Sequence, residues 1–155
     1  MIALSSIFYG ITQSNAEILK DWSVEPYNVH TGIDIPSDNV FSLTSGVVLA
    51  VGQVGKHYCV TIQYDVNNLL RYDHLSSACV EAGEVVQGGT LIGKADKYVH
   101  FEYATIDQGT SRWSVRIGCC TYWKQNPHDI QVVVPVTAMQ LSNESYAEFT
   151  DGRGE

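Results

Sequence analysis

Positive charge is scarce in this sequence. Nine lysines and arginines stand against seventeen aspartates and glutamates, a formal net charge of −8. Phosphate backbones are bound by clustered Lys and Arg, so the balance argues against nucleic acid as a partner and against an anionic membrane surface. Long apolar runs are also missing. No stretch approaches the ~20 apolar residues of a membrane-spanning helix, so no membrane insertion is expected. Met1 to Ile11 is fairly apolar but carries no positive charge, and Gln13, Ser14 and Asn15 follow without a cleavage site. There is thus no clear signal peptide. The chain is expected to stay in the cytoplasm where it is made, or to leave as part of a larger assembly. Cysteine is sparse, and Cys59, Cys79, Cys119 and Cys120 form no Cys-x-x-Cys pair, so a cysteine metal site has little support. Buried or free thiols are expected; a Cys59–Cys79 disulfide is left open.

What is present suits one folded domain. The chain has 155 residues, of which 45% are hydrophobic, enough for a single buried core. Short β-branched runs alternate with turn residues almost throughout. Gly46 to Gln53, His57 to Tyr64, Leu69 to Leu75, Glu84 to Val86, Thr90 to Ala95, Tyr98 to Thr105 and Ile130 to Pro135 read as strands. The best helix candidate is Ala16 to Trp22. The expected fold class is all-β, a single antiparallel sheet or sandwich. Residues 1–28 read as a lead-in segment, 29–135 as the domain and 136–155 as a polar tail.

Two clusters carry potential chemistry: His30-Thr31-Gly32-Ile33-Asp34 and Tyr98-Val99-His100-Phe101-Glu102. Zinc takes neutral imidazole and carboxylate ligands in a tetrahedral set, and a catalytic site keeps one position for water. Two histidines and an aspartate supply such a set. Side chains alternate along a strand, so Tyr98, His100 and Glu102 share a face while Val99, Phe101 and Tyr103 point to the core. Gly32 suits a tight turn that aims His30 and Asp34 at one point. On composition and spacing alone, a surface ion pair is the commoner explanation of such clusters.

The order of the pieces resembles the lysostaphin-like family of zinc endopeptidases, which cut peptidoglycan peptides. His30-Thr31-Gly32-Ile33-Asp34 is similar to its first ligand motif, and Val40-Phe41 with Ser45-Gly46-Val47-Val48 to the strand and turn that follow. Tyr72-Asp73-His74-Leu75-Ser76 is similar to its tyrosine-x-histidine-leucine segment, the run from Gly83 to Gly93 to its glycine hairpin, and His100-Phe101-Glu102 to its last ligand motif. The resemblance implies the all-β lysostaphin-like fold of the duplicated hybrid motif type. It also implies Zn2+ held by His30, Asp34 and His100, with His74 as a catalytic histidine.

Two departures limit what the resemblance implies. Tyr98 stands where the family carries the histidine taken as general base. A phenol with a reference pKa near ~10 is a proton donor at neutral pH and a poor base. Only Lys94 to Lys97 separate Gly93 from Tyr98, where the family has a glycine-rich loop that walls the substrate groove. The expectation is a zinc endopeptidase-like domain acting on peptidoglycan peptide, impaired or weakly active, carried on a phage tail or tail-like particle and bound to a protein partner there. The alternative is a non-catalytic structural or binding component that keeps the fold. Elsewhere, His57 and His128 read as solvated, and Asp73 as surface. Glu102 reads as an orienting neighbour of a ligand, and Trp22, Trp113 and Trp123 as core anchors or groove lining.

Overall fold

The computed structural model describes residues 4–109 and 111–131. A helix, α1 (Leu4–Thr12), leads into β1 (Ser23–Glu25), β2 (Asn28–His30), β3 (Ile33–Pro36) and β4 (Asn39–Phe41). There follow β5 (Gly46–Val54), β6 (His57–Gln63), β7 (Asn68–Ala78), β8 (Val85–Val86), β9 (Leu91–Thr105), β10 (Ser114–Ile117) and β11 (Cys120–Gln125). A 3-10 turn over Pro127–Asp129 closes the described region. Among the described residues, one antiparallel sheet runs β10-β11-β9-β7-β6-β5-β8, with β3 and β4 also paired to β9, while β1 and β2 form a separate ribbon. The all-β expectation holds. No helix of the described residues is long and apolar enough to cross a membrane.

The architecture turns on β9. Its fifteen residues run unbroken where the sequence suggested two strands. One edge pairs with β7 from Asn68↔Thr105 to Ala78↔Gly93. The other edge is shared in turn by β4 (Val40↔Gly93), β3 (Asp34↔His100) and β11 (Lys124↔Ala104). Ile33, Ile35, Val99 and Phe101 are fully buried in the main core, with Tyr72 beneath them. The Tyr72 hydroxyl accepts the Leu43 amide at 2.9 Å, so its one polar atom is not left bare. On β9 the positions out of phase with this core are Tyr98, His100, Glu102 and Ala104. Only at Ala104 does that second face become apolar, in a smaller cluster with Leu49, Leu69, Ile117 and Tyr122. Between Tyr98 and Glu102 the same face is polar, and the candidate site lies there.

Two local expectations are corrected. Ala16 to Trp22 forms no helix, and Lys20 within it bridges to Asp34. Its spacing is too polar and too short to close helical turns against the sheet. The helix lies instead at Leu4–Thr12, where Ile7, Phe8 and Ile11 recur at the three- and four-residue spacing that buries one helix face, and all three join the main core. The expected strand from Ile130 is not formed at Ile130 or Gln131, which carry no secondary structure. Its remainder and the polar tail lie outside the described residues. All four cysteines are free thiols; Cys59 is buried and accepts a hydrogen bond from Arg71, while Cys79 is exposed.

Gly93 is the tightest point of the β9 seam. A Cβ there would meet the Ser77 carbonyl oxygen at 2.4 Å, whereas one at Gly52 would meet nothing within 4 Å. Gly93→Ala should therefore destabilise the protein by about 1–3 kcal/mol through overpacking. Gly52→Ala should be neutral or stabilise by up to roughly 1 kcal/mol by restricting the unfolded chain. Urea titration followed by circular dichroism measures both; equal midpoints for the two variants would contradict the crowding argument.

Candidate metal centre

The His30 and Asp34 side chains come from either side of the Thr31-Gly32 link, and His100 reaches them from β9. Register does most of the positioning. Asp34 is the β3 partner of His100, and its backbone is fixed on the far side by Leu19 N–H to Asp34 C=O and Asp34 N–H to Lys20 C=O bonds of 2.8 and 2.9 Å. Gly32 is needed for closeness rather than for a special turn. A Cβ there would sit 2.6 Å from the Phe101 carbonyl oxygen and 2.8 Å from the His100 ring.

The ligating atoms of His30, Asp34 and His100 lie within 4.8 Å of one another, a group able to hold a metal ion. His30 Nε2 is 3.3 Å from Asp34 Oδ1, and His100 Nδ1 is 2.7 Å from the same oxygen. Ligands about 2.0–2.2 Å from a tetrahedral metal are roughly 3.4 Å apart, so one pair already fits and the other needs only a small separation. The neighbours of the two imidazoles suit this use. The Asp21 carbonyl lies 2.9 Å from His30 Nδ1, where it accepts that N–H and leaves Nε2 free as a donor to a metal. Glu102 Oε2 lies 3.0 Å from His100 Nε2 and leaves Nδ1 toward Asp34. Asp21 is in turn held by His128, whose Nε2 is 2.7 Å from Asp21 Oδ1. His128, read from sequence as solvated, thus braces the support of His30.

Glu102 is a buried carboxylate, 3% exposed, surrounded by donors. Its Oε2 also accepts from Lys124 Nζ at 3.0 Å and Thr31 Oγ1 at 3.1 Å, and Arg71 Nη1 approaches Oε1 at 3.5 Å. Burial works to raise its pKa, but the His100 hydrogen bond and the charges of Lys124, Arg71 and His100 prevail and bring it down to about 2. Burial likewise opposes a charge on His100, yet its hydrogen bonds and charge pairing with Asp34 and Glu102 lift it to about 9. A metal at Nδ1 takes the place of the proton held there.

Beside the three ligand candidates lie His74 and Tyr98, with Lys20, Asp73 and His57, around an open cleft of about 460 Å³. Burial and then the charges of Asp34 and Asp73 push the Tyr98 phenol above its ordinary pKa of 10, so it remains a donor. The Tyr98 and His74 rings stack with centroids 4.2 Å apart. His57 belongs to this cleft as well, stacked on the other side of His74 at 3.9 Å. It was missed because a hairpin histidine reads as solvated; only the β6–β7 register, Tyr58↔Leu75, places it beside His74. A second cleft of about 450 Å³ is lined by Trp22, Trp113, Arg112 and Asp129. The two indoles meet edge to face at 6.3 Å.

Comparison with known proteins bears on the fold and the family. No curated sequence matches the chain. Solved structures of the same fold include the SpoIIQ–SpoIIIAH pore-forming complex, at 20% identity and a TM-score of 0.60, covering 84% of this chain and 93% of that one. A mutant form of the catalytic domain of the prophage-encoded M23 protein EnpA from Enterococcus faecalis is 20% identical, with a TM-score of 0.59 and coverage of 77% and 94%. The antimicrobial peptidase lysostaphin from Staphylococcus simulans is 18% identical, with a TM-score of 0.58 and coverage of 79% and 56%. A zinc-containing peptidase from Vibrio cholerae is 21% identical with a TM-score of 0.54; the match covers 61% of this chain but only 35% of that one. The profile of peptidase family M23 matches residues 28–110, which span both histidine clusters and more than half of the sequence. The chain belongs to peptidase family M23.

Proposed function

We propose that this chain binds zinc through His30, Asp34 and His100 and hydrolyses peptide bonds of peptidoglycan with a weakened catalytic set. The observation that carries this reading is the convergence of the three ligand candidates on one point, each imidazole oriented by its own support. Zinc bound there would polarise a scissile carbonyl and lower the pKa of its water to ~7. The residues of the chain supply the rest. His74 and Tyr98 line the cleft beside the ligands, and Tyr98, held protonated, offers an O–H to the oxyanion that develops on the carbonyl. It does not take a proton from the attacking water, and a positioned base is worth ~10²–10⁴-fold in rate. The Trp22–Trp113 cleft extends the surface available to a peptide or glycan, as aromatic walls do in many ligand sites. No loop interrupts β9 between Gly93 and Tyr98, so the groove is open on that side and holds substrate less firmly.

A second reading is favoured by Tyr98 itself. A chain that has exchanged a base for a donor suits a domain that binds rather than cuts, docked on a protein partner in a phage tail or tail-like particle. The acidic surface and the polar tail support a protein partner in either case, with an interface of at least about 1,000 Å² for a stable complex.

Metal content separates fold from function. The purified protein should carry one zinc per chain by elemental analysis, and His30→Ala or Asp34→Ala should lose it. Glu102→Gln should keep the fold's metal site but weaken zinc binding by roughly 10–100-fold in a competition titration, because it disturbs the group that orients His100. Unchanged zinc binding in His30→Ala would remove this site from the reading. Activity is read as released amines from purified peptidoglycan. Wild type should be slow, and Tyr98→His should be faster by up to ~10²–10⁴-fold. Robust wild-type hydrolysis that His30→Ala abolishes would show that a donor suffices at this position and would end the binding-only alternative.

A further inference from the structure

His57, His74 and Tyr98 occupy three adjacent strands, β6, β7 and β9, and their rings form one stack. The His57 and His74 planes differ by 22° with centroids 3.9 Å apart, and the His74 and Tyr98 planes by 8° with centroids 4.2 Å apart. Two rings that close and that parallel cannot share one face of an imidazole, so His74 is clamped on both faces. The backbone brings it there at a cost. His74 has φ +66, a left-handed value that non-glycine residues seldom adopt. The β6–β7 register shifts between Tyr58↔Leu75 and Val60↔Tyr72, so that Asp73 and His74 of β7 together face Cys59, and the Asp73 carboxylate accepts the His74 amide at 2.7 Å. The extra residue throws the imidazole out of the strand's alternation and into the slot between His57 and Tyr98.

Within that slot, His74 Nδ1 is buried and has no hydrogen-bond partner among the described residues. A buried N–H without an acceptor is rarer and costlier than a lone pair without a donor. The proton of the neutral ring therefore belongs on Nε2, at the ring edge left to the cleft. Most functional histidines have their tautomer and orientation set by a hydrogen bond at the second nitrogen. Here that bond is missing, and stacking is what remains to hold the ring.

We propose that His57 is a positioning residue: with Tyr98 it clamps the His74 imidazole so that Nε2–H is presented to the cleft as a hydrogen-bond donor to the reacting carbonyl oxygen. The role of that donor rests on the hydrolytic reading above, but the clamp and the tautomer do not. It also gives Tyr98 a second duty, as the opposite jaw. His57 acts through the area and planarity of its ring, so an aromatic carbocycle should replace it and a methyl group should not.

The test is two-bond 1H–15N correlation spectroscopy of the full chain with one equivalent of zinc, for wild type, His57→Ala and His57→Phe. Wild-type His74 should show its proton on Nε2. His57→Phe should preserve that pattern, and His57→Ala should give mixed tautomers or exchange broadening. In parallel, peptidoglycan hydrolysis should lose up to ~10²-fold in kcat in His57→Ala with little change in KM, and recover in His57→Phe. A wild-type His74 protonated on Nδ1 would overturn the proposal without any variant having to fold. So would an unchanged His74 spectrum in His57→Ala, or a His57→Phe protein as perturbed as His57→Ala. If no variant hydrolyses peptidoglycan, the hydrolytic reading fails alone, because the spectra still decide the clamp.

Discussion

Everything at the candidate site depends on the pairing of β3 against β9 in a single register. Asp34 faces His100 only because Ile33 and Ile35 alternate with it into the same core that takes Val99 and Phe101. A slip of β3 by one residue would send both isoleucines to the polar face and Asp34 into the core, away from His100. The hydrophobic pattern and the geometry of the site therefore specify each other. β7 holds the opposite edge of β9 from Asn68↔Thr105 to Asp73↔His100, and again from Leu75↔Ala95 to Ala78↔Gly93.

Electrostatics completes what register begins. Glu102 is the hinge of the charge network, a buried carboxylate that is tolerable only because Lys124, Arg71, Thr31 and His100 all face it. Its partners come from β7, β9, β11 and the Thr31 link, so one carboxylate ties four parts of the chain to the back of the site. Such a pair contributes little net stability over an apolar substitute, but breaking it strands buried charge at a cost of about 3–5 kcal/mol. The arrangement is better understood as a way to fix the orientation of His100 than as a source of stability.

Much of this was legible in the sequence, and the failures have physical causes. Period-two alternation from Tyr98 to Tyr103 placed Val99 and Phe101 inside and His100 at the surface of a strand, as observed. The motifs that carry His30, Asp34, His74, Tyr98 and His100 meet in one cleft, as their order in the chain implies. Alternation could not tell whether Asp96 and Lys97 end a strand or continue it, because polar residues are as common on an exposed strand as in a turn. The apolar start at Leu4–Thr12 was weighed as an export signal rather than as a helix against the sheet, and the two share a composition. His57 and His128 were passed over because each acts through a residue distant in sequence, His74 and Asp21, and a single chain carries no record of such proximity.

The outermost strands of the large sheet, β8 and β10, are only two and four residues long. An open edge of that length presents too few free N–H and C=O groups to template a foreign strand. At these two ends of the described sheet, strand-by-strand addition of a second copy would therefore find little to pair with. A molecule meeting either end would be held by side chains and loops, which change under selection far more freely than a hydrogen-bonding edge does.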